Sequence, residues 1–300
     1  MTIKRYGRGW WAVVLVAMLM LSGCSADRQS PSAEDTITIG WTAWDDAEFV
    51  TRLARAVIEK HTDHHVRIKL AGIEQQYQGV AEGRYDAMLM AWLPDTHARY
   101  WADYRDQVVD LGTLYRGGQL GWAVPDYVPA EQLGSIADLA DAEVADRLGH
   151  RIQGIDPGAG LMQLSEQAIA AYNLADRYQL VAADAHAMTG ALAQAEQNRA
   201  WIVVTGWTPH WMFAKWRLRF LLDPKGALGT PQRVDALARP GFREDYPRVA
   251  AILSAMQLSL AELQAAMFEA EQTSYKNAVA QFMNQHQAQV RRWVQSADNE

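Results

Sequence analysis

Trp201-Ile202-Val203-Val204-Thr205-Gly206-Trp207-Thr208-Pro209-His210-Trp211-Met212 is the stretch around which the chain is organised. A β-branched run ending in Gly and a Thr-Pro step has the pattern of a buried strand that stops at a cleft and delivers Trp207 there. Taken alone, a large aromatic at a strand end more often fills a core than meets a ligand. The elements on either side change that balance.

Working outward, strands are expected at 151–156, 179–183 and 201–207, with helices at 161–172 and 188–197 between them. The first part of the chain repeats the plan: strands at 36–41, 66–70 and 85–92, with helices at 47–60 and near 75–81. The 85–92 run has few polar interruptions, as in a parallel sheet covered on both faces. Strand–helix alternation of this kind makes an α/β fold. A strand at 120–125 takes the chain into a second lobe, where Ser135 and Asp138 have capping-box spacing. After a strand at 218–223 and a turn at 223–226, the segment 234–242 leads back to the first lobe. Helices follow at 249–256, 260–271 and 278–294. The expected domains are thus 36–118, completed by about 232–300, and 119–231, with a cleft between them.

The N-terminus carries Lys4, Arg5 and Arg8, then an apolar stretch, then Leu21-Ser22-Gly23-Cys24. This is the layout of a secretory signal over 1–23. Cys24 is the single cysteine of the chain. Its place after a small-residue cleavage site resembles a bacterial lipobox, so lipidation at Cys24 is expected, with 24–35 as a flexible tether. Consuming Cys24 leaves no thiol for an internal disulfide. Removal of the leader takes the formal charge from −7 to −10 by losing three cations and no anion. Such a surface does not seek nucleic acid or anionic lipid.

Three expected strand ends carry tryptophan: Trp44 just past the first strand, Trp92 at the end of the third, and Trp207. Carboxyl ends of parallel strands line the ligand crevice of α/β sheets, so the three indoles are expected to face it. Indole faces are the best neutral hosts for a quaternary ammonium, at roughly 0.5–2 kcal/mol each. Asp156-Pro157-Gly158-Ala159-Gly160-Leu161 turns from a strand into a helix and presents the amides of Gly160 and Leu161 as an anion cradle. It lacks the Lys-Ser/Thr of a nucleotide P-loop, which favours a carboxylate over a polyphosphate. His97, five residues past Trp92, is placed to donate a charge-assisted hydrogen bond to that carboxylate. Asp45 and Asp46 are read as the start of a helix, with Asp45 adding weak attraction for a cation. His210 and Trp211 are expected to pack behind Trp207. His61, His64 and His65 sit in a polar turn without paired carboxylates or Cys and are read as a solvated loop.

Ala43-Trp44-Asp45, Ala91-Trp92-Leu93-Pro94-Asp95-Thr96-His97, Gly154-Ile155-Asp156-Pro157-Gly158-Ala159-Gly160 and Val204-Thr205-Gly206-Trp207-Thr208-Pro209-His210-Trp211 resemble signature segments of the glycine betaine substrate-binding proteins of bacterial ABC importers. The resemblance covers the chain from about Thr36 onward. It implies a two-lobed periplasmic-binding-protein fold of the Venus-flytrap type II class, with the ligand clamped between lobes. It implies a tryptophan prism of Trp44, Trp92 and Trp207 around the trimethylammonium, and Gly160, Leu161 and His97 on the carboxylate. It further implies an ABC permease as partner, an extracytoplasmic location and osmoprotectant uptake. A monomer without cofactor or metal is expected, and no enzyme: neither a serine nor a cysteine sits in a nucleophile turn. Two other readings stay open: a choline receptor of the same fold, whose ligand has no carboxylate for the cradle, and a sensory or adaptor lipoprotein using the same cleft.

Overall fold

The computed structural model describes residues 36–298 together with Thr2. The expectations for the leader, Cys24 and the tether lie outside the described residues. β1 (Thr36–Trp41), β2 (His65–Leu70) and β3 (Ala87–Leu93) are joined by α1 (Asp45–His61) and α2 (Ile73–Ala81). β1 pairs in parallel with both β2 and β3, which strand–helix–strand connections demand. Every residue of β3 is buried. At roughly 1.5–3 kcal/mol for each large aliphatic side chain removed from water, this strand contributes heavily to the core.

α3 (Ala98–Tyr104) leads to β4 (Val109–Pro125), which is 17 residues long. Beyond it come α4 (Ala142–Arg147), β5 (Arg151–Gln153), α5 (Gly160–Ala171), β6 (Gln179–Val181), α6 (Ala185–Asn198), β7 (Val204–Thr208), α7 (Met212–Lys215), β8 (Leu218–Phe220) and β9 (Gln232–Ala238). The chain ends in α8 (Phe242–Asp245), α9 (Pro247–Ala255), α10 (Leu260–Gln272), α11 (Tyr275–Gln285) and α12 (Gln287–Ser296). The strand order is β2-β1-β3-β9-β4-β7-β5-β6, with β8 also on β4.

β4 is the axis of the molecule. It pairs antiparallel with β9 from Val109 to Gly118 and with β7 from Gln119 to Ala123. One strand therefore belongs to two sheets, changing partner between two consecutive residues. An apolar cluster containing Ile37, Phe49, Met88 and Trp92 packs around the first sheet. A second, with Trp122, Ile136, Leu139, Ile152 and Val203, fills the space beneath the other. There Trp122 Nε1 donates to Ser165 Oγ at 2.9 Å, so the buried indole keeps its hydrogen bond.

Several expectations change in detail. β3 is not in an all-parallel environment, because its other neighbour, β9, is antiparallel. The segment 234–242 is more than a return path: β9 is a central strand between β3 and β4. The first half of β4 was invisible to pattern because Gly112, Gly117 and Gly118 interrupt it and three register shifts break the alternation. Residues 201–203 lie outside β7. The helix expected over 278–294 divides at His286, whose ring stacks on Phe282 at 4.2 Å between centroids. The capping box at Ser135 and Asp138 is present and opens a 3-10 turn over Ile136–Ala140. Among the described residues no single helix is long and apolar enough to cross a membrane.

Candidate functional site

Where β4 changes partner, the ends of β1, β3 and β7 meet the start of α5 around a narrow cavity. Its lining includes Trp44, Trp92, His97, Gly160, Leu161 and Trp207, which the sequence singled out separately, together with Asp46, Thr96 and Leu120. Trp207 and Leu120 are register partners across β7 and β4, so the two side chains enter the cavity from paired strands. Trp92 fits because of Gly118: a Cβ there would lie 2.6 Å from the indole Cζ3.

All three indoles are held by carboxylates. Asp46, buried in the first turn of α1, accepts from Trp207 Nε1 at 3.0 Å, Trp92 Nε1 at 3.3 Å and the Tyr115 hydroxyl at 2.6 Å. Trp44 Nε1 donates to Asp156 at 3.0 Å. Burial pushes the Asp46 carboxyl up from its ordinary value, against the pull of hydrogen bonds from Tyr115 and Trp207. The three bonds are what let a carboxylate occupy so dry a place. Asp46 and Tyr115 are the residues that sequence reasoning missed. The spacing of Trp44 and Asp46 was visible, but helix-start acids are common enough to hide a second role. Asp45, read as the cation's neighbour, turns instead toward His210 Nε2, at 3.1 Å, and the Tyr275 hydroxyl, at 2.7 Å. It does not line the cavity; Asp46 does. His210 packs edge-on to Trp207 with centroids 4.6 Å apart.

His97 is fully buried and its neutral form is enforced. Desolvation lowers its pKa from 6.5 to about 3. The Trp92 backbone N–H donates to Nδ1 at 3.1 Å, so the ring proton resides on Nε2, which is buried without a hydrogen-bond partner. The imidazole is therefore a neutral donor, and any charge in a bond it makes to a carboxylate comes from the acceptor. Tyr77 braces the ring, with centroids 5.7 Å apart, and stacks on Tyr100. Tyr100 in turn donates from its hydroxyl to the Gly158 carbonyl at 2.9 Å, fixing the turn before α5.

Gly160 and Leu161 are the first residues of α5, where helical N–H groups have no intrahelical acceptor and the dipole is positive. Gly160 is there for close approach: a Cβ would stand 2.0 Å from the Thr96 carbonyl oxygen. The turn carrying Thr96 and His97 is fixed by Gln232 of β9, whose Oε1 accepts from the amides of Asp95 and Thr96 at 2.9 and 3.3 Å. Away from the cavity, His64 packs edge-on to Tyr246. Among the described residues no cluster of His, Cys, Asp and Glu has metal-binding geometry.

Over 161 residues the chain is 32% identical to the glycine betaine/carnitine transport binding protein GbuC of Listeria monocytogenes serotype 1/2a (strain 10403S), covering 53% of this chain and 54% of that protein. The chain thus spans about half the length of that relative. The crystal structure of lactococcal OpuAC, closed and complexed with glycine betaine, aligns with a TM-score of 0.80 at 31% identity, over 87% of this chain and 99% of that one. The glycine/betaine/L-proline-binding protein ProX of Borrelia burgdorferi gives 0.81 at 27%, over 88% and 98%. A choline binding protein in complex with choline shares the fold, at 0.78 and 21% identity over 89% and 93%. The architecture is that of the two-lobed periplasmic binding proteins. Residues 35–285 match the OpuAC family throughout, and the chain belongs to it: the substrate binding domain of ABC-type glycine betaine transport systems, a family of transport proteins and not of enzymes.

Proposed function

We propose that this chain captures glycine betaine or a related betaine and delivers it to an ABC permease for osmoprotectant uptake. One observation carries the reading: three indoles, a buried carboxylate and unpartnered donors line a single cavity. Indole faces attract a methylated ammonium that cannot itself donate hydrogen bonds, at about 0.5–2 kcal/mol each. Asp46 adds negative charge on the same wall, and its hydrogen bonds orient two of the rings. Gly160, Leu161 and His97 then take the carboxylate. Family membership and the similarity to betaine-binding relatives support the same assignment. Function is capture and release, with no bond made or broken.

The lobes in this reading are 36–118 with 232–300, and 119–231, and the change of partner along β4 at Gly118 supports that division. Substrate-binding proteins of ABC importers work outside the cytoplasm. Here the lipobox resemblance adds an anchor through Cys24. Calorimetric titration tests the ligand: heat with glycine betaine supports the proposal, while heat with choline and none with betaine replaces it. Cys24→Ser tests the anchor, which fails if the variant stays in the membrane fraction.

A further inference from the structure

We infer that the hydroxyl of Thr96 is a fourth hydrogen-bond donor to the carboxylate of the ligand, an inference that rests on the betaine reading of the cavity. Thr96 lines that cavity and is 8% exposed, and its Oγ1 is buried with no hydrogen-bond partner. Buried hydroxyls are ordinarily satisfied. The neighbouring side chains show how specific this exception is. The indole nitrogens of Trp44, Trp92 and Trp207 and both oxygens of Asp46 are engaged with one another or with Asp156. His97 Nδ1 accepts from Trp92. The polar side-chain atoms left over on the cavity wall are His97 Nε2 and Thr96 Oγ1, from consecutive residues.

Thr96 also stands beside the anion cradle. A Cβ built on Gly160 would be 2.8 Å from Thr96 Cγ2, so the side chain lies against the first turn of α5. Its backbone cannot drift, because Gln232 accepts from its amide and from that of Asp95. An ionised carboxylate has two oxygens with about four lone-pair sites. Gly160, Leu161 and His97 fill three of them, and the Thr96 hydroxyl fills the fourth. A ligand ending in one hydroxyl has too few acceptor sites for four donors and leaves some of them buried and unpaired, which is costly. Thr96 thereby selects a carboxylate over an alcohol on the same quaternary ammonium head.

The test compares full-length protein with Thr96→Val and Thr96→Ser, by calorimetry with glycine betaine and by thermal melting with and without it. Thr96→Val is expected to weaken betaine binding about tenfold or more, as for loss of a hydrogen bond to a charged group. Its ligand-free melting temperature should equal or exceed that of the unaltered protein, since the hydroxyl has no partner to lose. Thr96→Ser, which restores the donor, should bind within about threefold of the unaltered protein. Betaine binding by Thr96→Val equal to that of a binding-competent parent overturns the inference and leaves the betaine reading standing. A ligand-free Thr96→Val that melts early assigns Thr96 a structural role and also overturns it. A parent that binds no betaine removes the betaine reading and this inference with it.

Discussion

Trp207 Nε1 donates to Asp46 Oδ1 at 3.0 Å, so a side chain from β7 in the second sheet is held by the first turn of a helix packed on the first. The reverse bond runs from Trp44, just before that helix, to Asp156, just before α5. Two carboxylates and two indoles thus cross-link the two halves of the cavity, while Trp92 is held by Asp46 within the first half. Each of the two cross-linking bonds orients a ring and joins the sheets in the same act.

Asp46→Asn should weaken betaine binding by about tenfold or more. The amide keeps one acceptor oxygen but puts an N–H group at the other position, where either Trp207 or the pair Trp92 and Tyr115 needs an acceptor, and each buried donor left unpaired costs about 1–3 kcal/mol. Asp45→Asn is the control. Its partners are His210 and Tyr275 outside the cavity, so its affinity should change far less. Calorimetry on both variants separates them, and equal losses would deny Asp46 its special place.

Replacing the rings distinguishes face from edge. Trp207→Ala removes both the π face and the bond to Asp46, and should cost roughly an order of magnitude in affinity or more. Trp44→Phe keeps an aromatic face but loses the bond to Asp156, and should fall between the unaltered protein and Trp44→Ala. Trp44→Phe binding as weakly as Trp44→Ala would mean that the Asp156 bond, and not the ring, carries the contribution of Trp44.

Gly160→Ala should leave the far-ultraviolet circular dichroism unchanged, because alanine is the better helix former. Betaine affinity should nevertheless fall by tenfold or more. The added methyl meets the Thr96 carbonyl at 2.0 Å, a backbone oxygen in a turn whose amides at Asp95 and Thr96 donate to the buried Gln232. Small-angle scattering should then report a more open molecule in the presence of ligand. Unimpaired binding by Gly160→Ala would show that the Thr96 turn yields.

The alternating strands and helices were legible because their apolar residues recur at strand and helix periods, and the strand ends carrying Trp44, Trp92 and Trp207 followed from that. Gly160 and Leu161 were legible from a glycine turn opening a helix. Three things were not. β4 mixes glycines with bulges, so its first half has no period to read. Asp46 and Tyr115 are 69 residues apart, and only the fold brings the hydroxyl to the carboxylate. The charge of His97 depends on how dry its surroundings are, which no spacing encodes.

His97 yields a prediction with a sign. Burial depresses its pKa to about 3 in the folded protein from 6.5. Between those values the unfolded chain takes up a proton that the folded ring refuses, so stability falls as pH drops through that window. Above about pH 6.5 both states are neutral and the effect vanishes. The slope from this one group is at most about 1.4 kcal/mol per pH unit. His97→Gln should therefore flatten the dependence of stability on pH between about 4 and 6.5, measured by denaturant unfolding. Binding offers an independent check, because a neutral donor takes up no proton when it meets the carboxylate. Betaine titrations near pH 7 in buffers of different ionisation enthalpy should give the same heat. His97→Ala should lose about tenfold in affinity, as for one hydrogen bond to a charged group. A heat that scales with buffer ionisation, amounting to about one proton taken up, would make His97 an imidazolium in the complex and overturn its assignment as a neutral donor.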